Sequence, residues 1–172
     1  MLTLTLLRHA KSSWGDGALK DFDRPLNGRG LEAAALMGAL MRRDGLRPDR
    51  ILCSPALRTR QTLDLVRAEH PALGEAEFQQ RLYHATPAIL LRAMHAVPET
   101  ARHVLVIGHN PGLHQLAVWL TGSGLPSKRR SLEEKMPTGA LVVLTFEVSR
   151  WADVLPGGGH LRLFARPRDE AA

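Results

Sequence analysis

The sequence predicts a single α/β domain, in which helices cover both faces of a mostly parallel sheet with an antiparallel edge. Short apolar segments alternate with segments of helical periodicity along most of the chain, which is typical of βαβ units. A length of 172 residues suits one domain with a substantial core. We therefore predict one domain over residues 1–165 and a polar C-terminal tail over residues 166–172.

The first strand is predicted over residues 2–7, where leucine alternates with β-branched threonine. A helix is expected to follow Gly30 and to end at Asp44 and Gly45, since glycine commonly follows the last turn of a helix. Its predicted apolar face consists of small and aliphatic side chains, namely Leu31, Ala34, Ala35, Gly38 and Met41.

The second predicted strand covers residues 51–53 and leads into Ser54 and Pro55. Serine suits a helix N-cap and proline the first helical position, so we predict that a helix begins here and ends near His70. Its inner face is expected to consist of Thr59, Thr62, Leu63 and Val66. A short strand is predicted over residues 76–78.

A third helix is predicted over residues 86–97, again with a threonine and a proline at its start. A buried strand over residues 104–107 comes next. Asn110 is then the expected N-cap, and Pro111 the first residue, of a fourth helix that ends near Thr121.

Two more strands are predicted over residues 139–146 and 160–164, and the glycine-rich turn between them favours antiparallel pairing. The preceding segment, residues 121–137, is rich in glycine, proline and serine and is expected to be a loop. It contains Lys128, Arg129 and Arg130, followed by two glutamates. Two interpretations of this basic run remain open. It is either a solvated loop or a surface that docks an acidic partner.

Composition narrows the functional class. The net charge of +6 would suit a nucleic-acid-binding protein, but aromatic residues make up only 5% of the chain and do not alternate with the basic residues. We therefore expect no nucleic-acid partner.

The single cysteine, Cys53, excludes an intrachain disulfide and is expected to be a buried strand residue. No signal peptide or apolar run of membrane-spanning length is recognisable, so we expect a cytoplasmic protein without a membrane partner.

Cationic and imidazole side chains follow three of the predicted strands. Arg8 and His9 follow the first strand, Arg58 lies in the first turn of the helix after the second, and His109 follows the strand over residues 104–107. Open α/β sheets bind ligands outside the carboxyl ends of their strands, and helix starts bind anions. If the three strands are neighbours, two guanidinium groups and two imidazoles meet in one pocket, where an imidazole can attack phosphorus.

The chain resembles the histidine phosphatases, a superfamily that includes the cofactor-dependent phosphoglycerate mutases. Within the superfamily it is most similar to the small SixA-type phosphohistidine phosphatases. The resemblance rests on four motifs that follow the order of the family: residues 7–14 (LRHAKSSW), residues 23–26 (DRPL) with Gly28 to Gly30, Ser54-Pro55 with Arg58, Gln61 and Thr62, and residues 108–111 (GHNP).

The resemblance implies a phosphoglycerate mutase-like fold and a catalytic group formed by His9, Arg8, Arg58 and His109. His9 would accept the phosphoryl group and form phosphohistidine, and the other three side chains would hold the phosphoryl oxygens. It also implies a substrate contact from Arg24, and neither a metal nor a cofactor. A second substrate contact is predicted at Ser12, because its hydroxyl group can donate to phosphate.

The sequence departs from the family pattern at three places. Ala10 stands where glycine is common, and Gly15 stands where many members have an asparagine that touches phosphate. Many phosphomonoesterases of the superfamily have a carboxylic acid that protonates the leaving group, and our alignment places Arg81 near that position. Glu77 is the nearest alternative. Without such an acid an alkoxide leaves slowly, whereas phosphohistidine has a better leaving group.

The sequence therefore predicts a metal-independent phosphohistidine phosphatase that acts on a phosphorylated protein carrying a phosphohistidine domain. One alternative is a phosphatase for a small phosphorylated metabolite, with Glu77, an aspartate of residues 16–23 or His84 as the acid. The other alternative is a non-catalytic regulatory module that binds phosphate.

Overall fold

The computed structural model describes residues 1–171 and contains seven strands in one sheet. The strands are β1 (Leu2–Arg8), β2 (Arg50–Cys53), β3 (Ala76–Phe78), β4 (His103–Gly108), β5 (Thr121–Gly124), β6 (Leu141–Phe146) and β7 (Gly159–Ala165). The α-helices are α1 (Gly28–Arg43), α2 (Leu57–Glu69), α3 (Pro87–His95), α4 (Gly112–Leu120), α5 (Pro126–Glu134) and α6 (Pro167–Glu170).

The sheet has the strand order β3-β2-β4-β1-β6-β7-β5. The pairs β3–β2, β2–β4, β4–β1 and β7–β5 are parallel, while β6 runs antiparallel to both of its neighbours. The predicted fold class is thus confirmed, as is the antiparallel pairing of β6 with β7. The antiparallel strand itself lies inside the sheet, because β5 adds a further parallel pair at the edge.

The register of the central strands brings their carboxyl ends to one level. Arg8 at the end of β1 pairs with Gly108 at the end of β4, and Cys53 at the end of β2 pairs with Ile107. Because parallel strands end on the same side of a sheet, the residues that follow β1, β2 and β4 meet there.

Helices cover both faces of the sheet, as predicted. On one face, α1 and α2 contribute Met37, Met41, Leu63 and Val66 to a buried cluster with the sheet residues Leu7, Ile51, Leu105 and Val143. On the other face, α3, α4 and α5 pack on a larger cluster that includes Leu4, Val104, Leu116, Leu132 and Trp151. On each face, the burial of these apolar side chains stabilises the packing of the helices on the sheet.

Helix α1 is set by local signals at both ends. The side chain of Asn27 accepts a hydrogen bond from the Gly30 amide at 2.9 Å, and Gly45 ends the helix with a left-handed φ of 67°. The predicted apolar face is correct at Ala34, Gly38 and Met41. It is wrong at Leu31, which is 44% exposed, because the helix turns that position away from α2 and the sheet.

Three predicted helix starts are wrong. Helix α1 begins at Gly28, before the predicted start after Gly30, because Asn27 caps it. The starts of α2 and α4 are wrong by one or two residues. Helix α2 begins at Leu57, because Ser54 still extends β2 and donates its amide proton to the Ile107 carbonyl at 3.0 Å. Helix α4 begins at Gly112, because the Asn110 amide group donates to the Met136 carbonyl instead of capping the helix. In both cases the polar residue lies at the carboxyl ends of the parallel strands, where the site is.

The predicted loop over residues 121–137 is also wrong, since it contains β5 and α5. Strand β5 pairs with β7 along the sheet edge, and Pro126 begins α5, which buries Leu132 against the core. The basic run Lys128 to Arg130 therefore lies on a helix. In the segment predicted as a tail, α6 forms and packs against α1. Within residues 1–171, no helix is long and apolar enough to cross a membrane.

The close contact between the first turn of α1 and the segment after β1 can be tested by substitution. A Cβ atom on Gly30 would overlap the carbonyl oxygen of Lys11, whereas a Cβ atom on Gly28 would meet nothing within 4 Å. We expect Gly30→Ala to lower the free energy of unfolding by about 1–3 kcal/mol, because backbone atoms must shift. Gly28→Ala, the matched control two residues away, should stay within about 0.5 kcal/mol of the wild type. Equal urea denaturation curves for the two variants would contradict this packing.

Candidate active site

A cleft of about 320 Å³ lies at the carboxyl ends of β1, β2 and β4. All six residues predicted as catalytic or substrate-binding line it, namely Arg8, His9, Ser12, Arg24, Arg58 and His109. The complete lining is Arg8, His9, Lys11, Ser12, Trp14, Asp21, Arg24, Arg58, His84, His109, Asn110 and Thr138. The structure therefore brings the three strand-end motifs, and the loop that contains Arg24, into one site.

His9 is held directly after β1 in one orientation. Its amide donates to the Gly108 carbonyl at 3.1 Å, so the ladder with β4 continues to this residue. Its ring Nδ1 lies 2.7 Å from the Ala10 carbonyl oxygen, which can only accept, so Nδ1 carries the proton. The neutral ring then has its lone pair on Nε2. Burial, with contributions from Arg58 and Arg8, lowers the pKa of His9 to about 4, against the effect of the Ala10 hydrogen bond.

Helix α2 fixes the chain on both sides of this site. The Thr62 hydroxyl group accepts a hydrogen bond from the Ala10 amide at 3.0 Å and donates to the Arg58 carbonyl at 2.7 Å. The Gln61 side chain accepts from the Leu26 amide at 2.8 Å, which ties down the loop that carries Arg24. The motif residues Gln61 and Thr62 are thus positioning residues outside the cleft.

Arg8 is held from the opposite side by the segment between α5 and β6. The Met136 carbonyl accepts from Arg8 Nη1 at 3.1 Å and from the Asn110 side chain at 2.9 Å. The Gly139 amide donates to the carbonyls of both Arg8 and His9, at 3.1 and 3.0 Å. Gly139 has a left-handed φ of 76°, which glycine adopts without strain.

Arg58 is almost completely buried and forms its main interactions with Asp21. Its Nη1 donates to the Asp21 carbonyl at 2.6 Å, and its Nη2 donates to Asp21 Oδ2 at 3.0 Å. Oδ1 of the same carboxylate pairs with Arg24 at 3.0 Å. Burial alone would raise the pKa of Asp21, but hydrogen bonds from Tyr83, His84 and Arg58 outweigh it and hold the pKa well below its usual range. Asp21 is therefore an anion that orders two arginines.

Arg24 forms an ion pair and also faces the cleft. It is buried beside Asp21 and also lines the cleft. Its guanidinium carbon lies 3.5 Å from the centroid of the Trp14 ring, and that indole is 78% exposed at the rim of the cleft. The cation is held by an ion pair on one side and by a π face on the other.

Tyr83 and His84 approach the site from the segment between β3 and α3. The Tyr83 hydroxyl group and the Nε2–H of His84 both donate to Asp21 Oδ2, the latter at 2.9 Å. His84 has a positive φ of 49° and a half-exposed side chain, and its ring lies 5.0 Å from that of His109. A residue in this conformation is strained, and such strain often marks functional sites.

His109 follows β4 and is buried next to His9, with 5.3 Å between the ring centroids. Its Nε2 shares a hydrogen bond of 2.7 Å with the Ser54 hydroxyl group. Burial, followed by the proximity of His9 and Arg58, lowers the pKa of His109 to about 2. Both imidazoles are therefore neutral at physiological pH.

Three buried nitrogen atoms of this group have no hydrogen-bond partner within residues 1–171. They are Nε of Arg8, Nε of Arg58 and Nδ1 of His109. An unpaired buried polar atom is unfavourable by about 1–3 kcal/mol, so this crowded group of arginines and imidazoles lowers the stability of the fold.

The two residues considered for the position of the missing general acid lie outside the cleft. Glu77 and Arg81 border a separate cavity with Arg50 and each hydrogen-bonds to Gln79, because β3 lies at the sheet edge beyond β2. Glu77 is thus removed as a candidate acid. Within residues 1–171, no group of three or more histidine, cysteine, aspartate or glutamate side chains is arranged to hold a metal ion.

Comparison with known proteins assigns the family. The sequence profile of the histidine phosphatase superfamily (branch 1) matches residues 4–86. A solved structure of a candidate phosphohistidine phosphatase SixA from Nakamurella multipartitia superposes with a TM-score of 0.83 at 30% identity, over 96% of each chain. The chain belongs to the histidine phosphatase superfamily and to its SixA-type group. It is therefore a phosphatase.

Two further relatives of this phosphatase cover nearly its whole length. An uncharacterised protein of Mycobacterium tuberculosis is 38% identical over 164 residues, which span 94% of this chain and 100% of the relative. The protein histidine phosphatase SixA, solved in complex with tungstate, superposes with a TM-score of 0.79 at 25% identity, over 98% of this chain and 99% of the other.

Several residues of the site were not singled out from the sequence. From the sequence, Asp21 is one of several aspartates in residues 16–23 and a possible ion-pair partner of Arg24, and Tyr83 carries no signal for a site residue. The spacing of Asp21 and Arg24 is a weak signal for an ion pair, and it does not indicate that Arg58 is the second partner. Thr138 carries no sequence signal, since it reaches the cleft only through the pairing of β6 with β1.

The protonation state of His9 is directly measurable. We expect the His9 imidazole of the ligand-free phosphatase to remain neutral, with the proton on Nδ1, down to about pH 5, and to titrate with a pKa of about 4. The reason is that burial and the nearby arginines disfavour the charged ring. Two-dimensional ¹H–¹⁵N spectra of the imidazole region, assigned with His9→Asn, measure this titration. A midpoint near the ordinary value of about 6.5 would contradict it.

Proposed function

We propose that this phosphatase removes the phosphoryl group from phosphohistidine on a protein, without a metal ion and through a phosphohistidine intermediate on His9. The observation that carries the proposal is the fixed neutral tautomer of His9, with Nδ1–H on the Ala10 carbonyl and the lone pair on Nε2 within a cationic cleft. An imidazole in this state is a nucleophile that needs no general base.

In the first step, His9 Nε2 attacks phosphorus and forms a P–N bond, while the P–N bond to the substrate imidazole breaks. The substrate imidazole leaves with the bonding electron pair and, already protonated on its other nitrogen, departs as a neutral ring. Arg8, Arg24 and Arg58 balance the charge of the phosphoryl oxygens, and His109 and Ser12 supply hydrogen-bonding groups. The Ala10 carbonyl stabilises the positive charge that develops on the His9 ring.

In the second step, water attacks the phosphorus of the intermediate and the bond to His9 breaks. Inorganic phosphate leaves, the proton of the water passes to phosphate or solvent, and His9 returns to its neutral form. The complex of the SixA relative with tungstate, a tetrahedral oxyanion, is consistent with a site of this kind in that protein.

The charge of Asp21 favours a P–N bond as the one cleaved. Among residues 1–171, Asp21 is the only carboxylate that lines the cleft, and its low pKa keeps it ionised. It has no proton to give to an alkoxide. A phosphohistidine leaving group does not need that proton, so the site suits it better than a sugar phosphate.

The shape of the site favours a protein substrate. The segment between Tyr83 and β4 contains only α3, and no larger insertion covers the cleft. Trp14 stands exposed at the rim, and exposed indoles are frequent anchors of protein interfaces. A phosphohistidine on a protein surface can therefore reach His9.

The decisive experiment uses wild type and His9→Ala with EDTA present. We expect the wild type to dephosphorylate a phosphohistidine domain, and His9→Ala to lose activity by at least about 10³-fold, because the nucleophile is absent. Acid-labile, base-stable phosphate on the wild type after rapid quenching would identify the intermediate. His160→Ala, at an exposed position of β7 outside the cleft, is the matched control. Full activity of His9→Ala would rule out the proposed nucleophile.

One observation favours a second candidate function, hydrolysis of a small phosphomonoester. His84 lines the cleft, is half exposed and is oriented by Asp21, so its ring could give a proton to an alkoxide. The family assignment places this candidate ahead of the non-catalytic module that the sequence alone left open.

His84→Asn distinguishes the two candidates, because asparagine tolerates the left-handed backbone of this position. If phosphohistidine is the substrate, kcat/KM for the phosphorylated domain should change by less than about threefold. If His84 is a general acid for phosphomonoesters, hydrolysis of an alkyl phosphate should fall by about 10²-fold or more. p-Nitrophenyl phosphate, whose leaving group needs no proton, is the control substrate for both variants.

A further inference from the structure

A second cavity of about 230 Å³ adjoins the active-site cleft. It is lined by Lys11, Arg29, Ala33, Pro137, Thr138, Arg166, Pro167 and Arg168, and we refer to it as the basic cavity. Lys11 and Thr138 line both spaces. The cleft and the basic cavity are therefore neighbours on the surface.

The basic cavity carries excess positive charge. Four of its lining residues are cations, and no carboxylate lines it. Arg166 and Arg168 share the nearby carboxylate of Asp169, at 2.7 and 3.7 Å. Lys11 and Arg29 form no ion pair with any residue in the part of the chain that the structure describes. Two cations thus remain available to an anionic ligand.

The walls of the basic cavity are fixed to the catalytic strand. The Lys11 carbonyl accepts from the Asn27 amide at 2.9 Å, which holds Lys11 beside the start of α1 and hence near Arg29. On the other side, a Cβ atom on Gly139 would lie 2.8 Å from Pro167. The Gly139 amide also donates to the His9 carbonyl. The backbone around the basic cavity is therefore joined by direct contacts to the strand that carries His9.

We propose that the basic cavity is a second anion subsite, which binds a carboxylate or a second phosphate of the substrate whose phosphoryl group lies at His9. The inference rests on the proposed phosphoryl site. The apolar walls formed by Ala33, Pro137 and Pro167 suit the carbon chain that joins the two anionic groups. Linkage makes the second contact intramolecular, so it strengthens binding even though each exposed ion pair is weak alone.

The first arm of the test measures binding by calorimetry, without turnover. Methylphosphonate reports on the phosphoryl site alone, and alkane bisphosphonates of increasing chain length report on both sites. We expect the best bisphosphonate to bind the wild type at least about tenfold more tightly than methylphosphonate. The double variant Arg29→Gln/Arg168→Gln should reduce this preference to less than about threefold while leaving methylphosphonate binding unchanged.

Arg42→Gln is the matched control, since Arg42 is exposed in the last turn of the same helix and lines neither cavity. It removes a charge from α1 and should keep the bisphosphonate preference. Equal binding of the two phosphonates to the wild type would overturn the subsite and leave the proposed function standing. Failure of both to bind would overturn the subsite and the phosphoryl site together. Loss of the preference in Arg42→Gln as well would show only a general charge effect, and would also overturn the subsite.

The second arm identifies the source of the second anion. If it is an acidic side chain on a protein, the double variant should raise KM for a phosphohistidine domain about fivefold at unchanged kcat, and should weaken its dependence on salt. If KM for the domain does not change while the bisphosphonate preference is lost, the subsite belongs to a small substrate with two anionic groups.

Discussion

The parallel register of β1, β4 and β2 is the constraint on which the site depends. Because Arg8 is paired with Gly108, the first residues beyond the two strands, His9 and His109, emerge side by side. Ser54 follows β2 at the same level and reaches His109. A shift of one residue in this register would turn these side chains to the opposite face of the sheet. The buried strands therefore fix the distances within the site as firmly as they fix the core.

Electrostatics adds a second level of order to this arrangement. Cations crowded into a buried site repel each other: burial, and after it the charge of Arg58, lowers the pKa of Arg8. Asp21 relieves part of this repulsion, because one of its carboxylate oxygens pairs with Arg24 and the other pairs with Arg58. Tyr83 and His84 donate to the same carboxylate, so one acidic residue on a short turn orients four neighbours. Its replacement would disturb the whole wall of the cleft that faces His9.

The sequence predicts those features that depend on local patterns. Strand ends and the proline start of α3 are local, and Arg8, His9, Arg58 and His109 could be placed in one site because each follows such a pattern. Features that arise from tertiary pairing were not predictable. β5 reads as a loop because only its edge pairing with β7 makes it a strand. The partnership of Asp21 with Arg58 spans thirty-seven positions, and no local pattern records it.

The charge of the site and the protonation state of His9 are linked. Three guanidinium groups, the ammonium group of Lys11 and one carboxylate, with His9 and His109 neutral, leave three positive charges around His9, which favour a phosphoryl dianion. The same cations help to lower the pKa of His9, so the groups that would bind the phosphate also keep the imidazole unprotonated. A metal ion in this position would supply the charge but would compete for the Nε2 lone pair. Arginines cannot coordinate that nitrogen, so the site combines positive charge with an imidazole whose Nε2 lone pair is free.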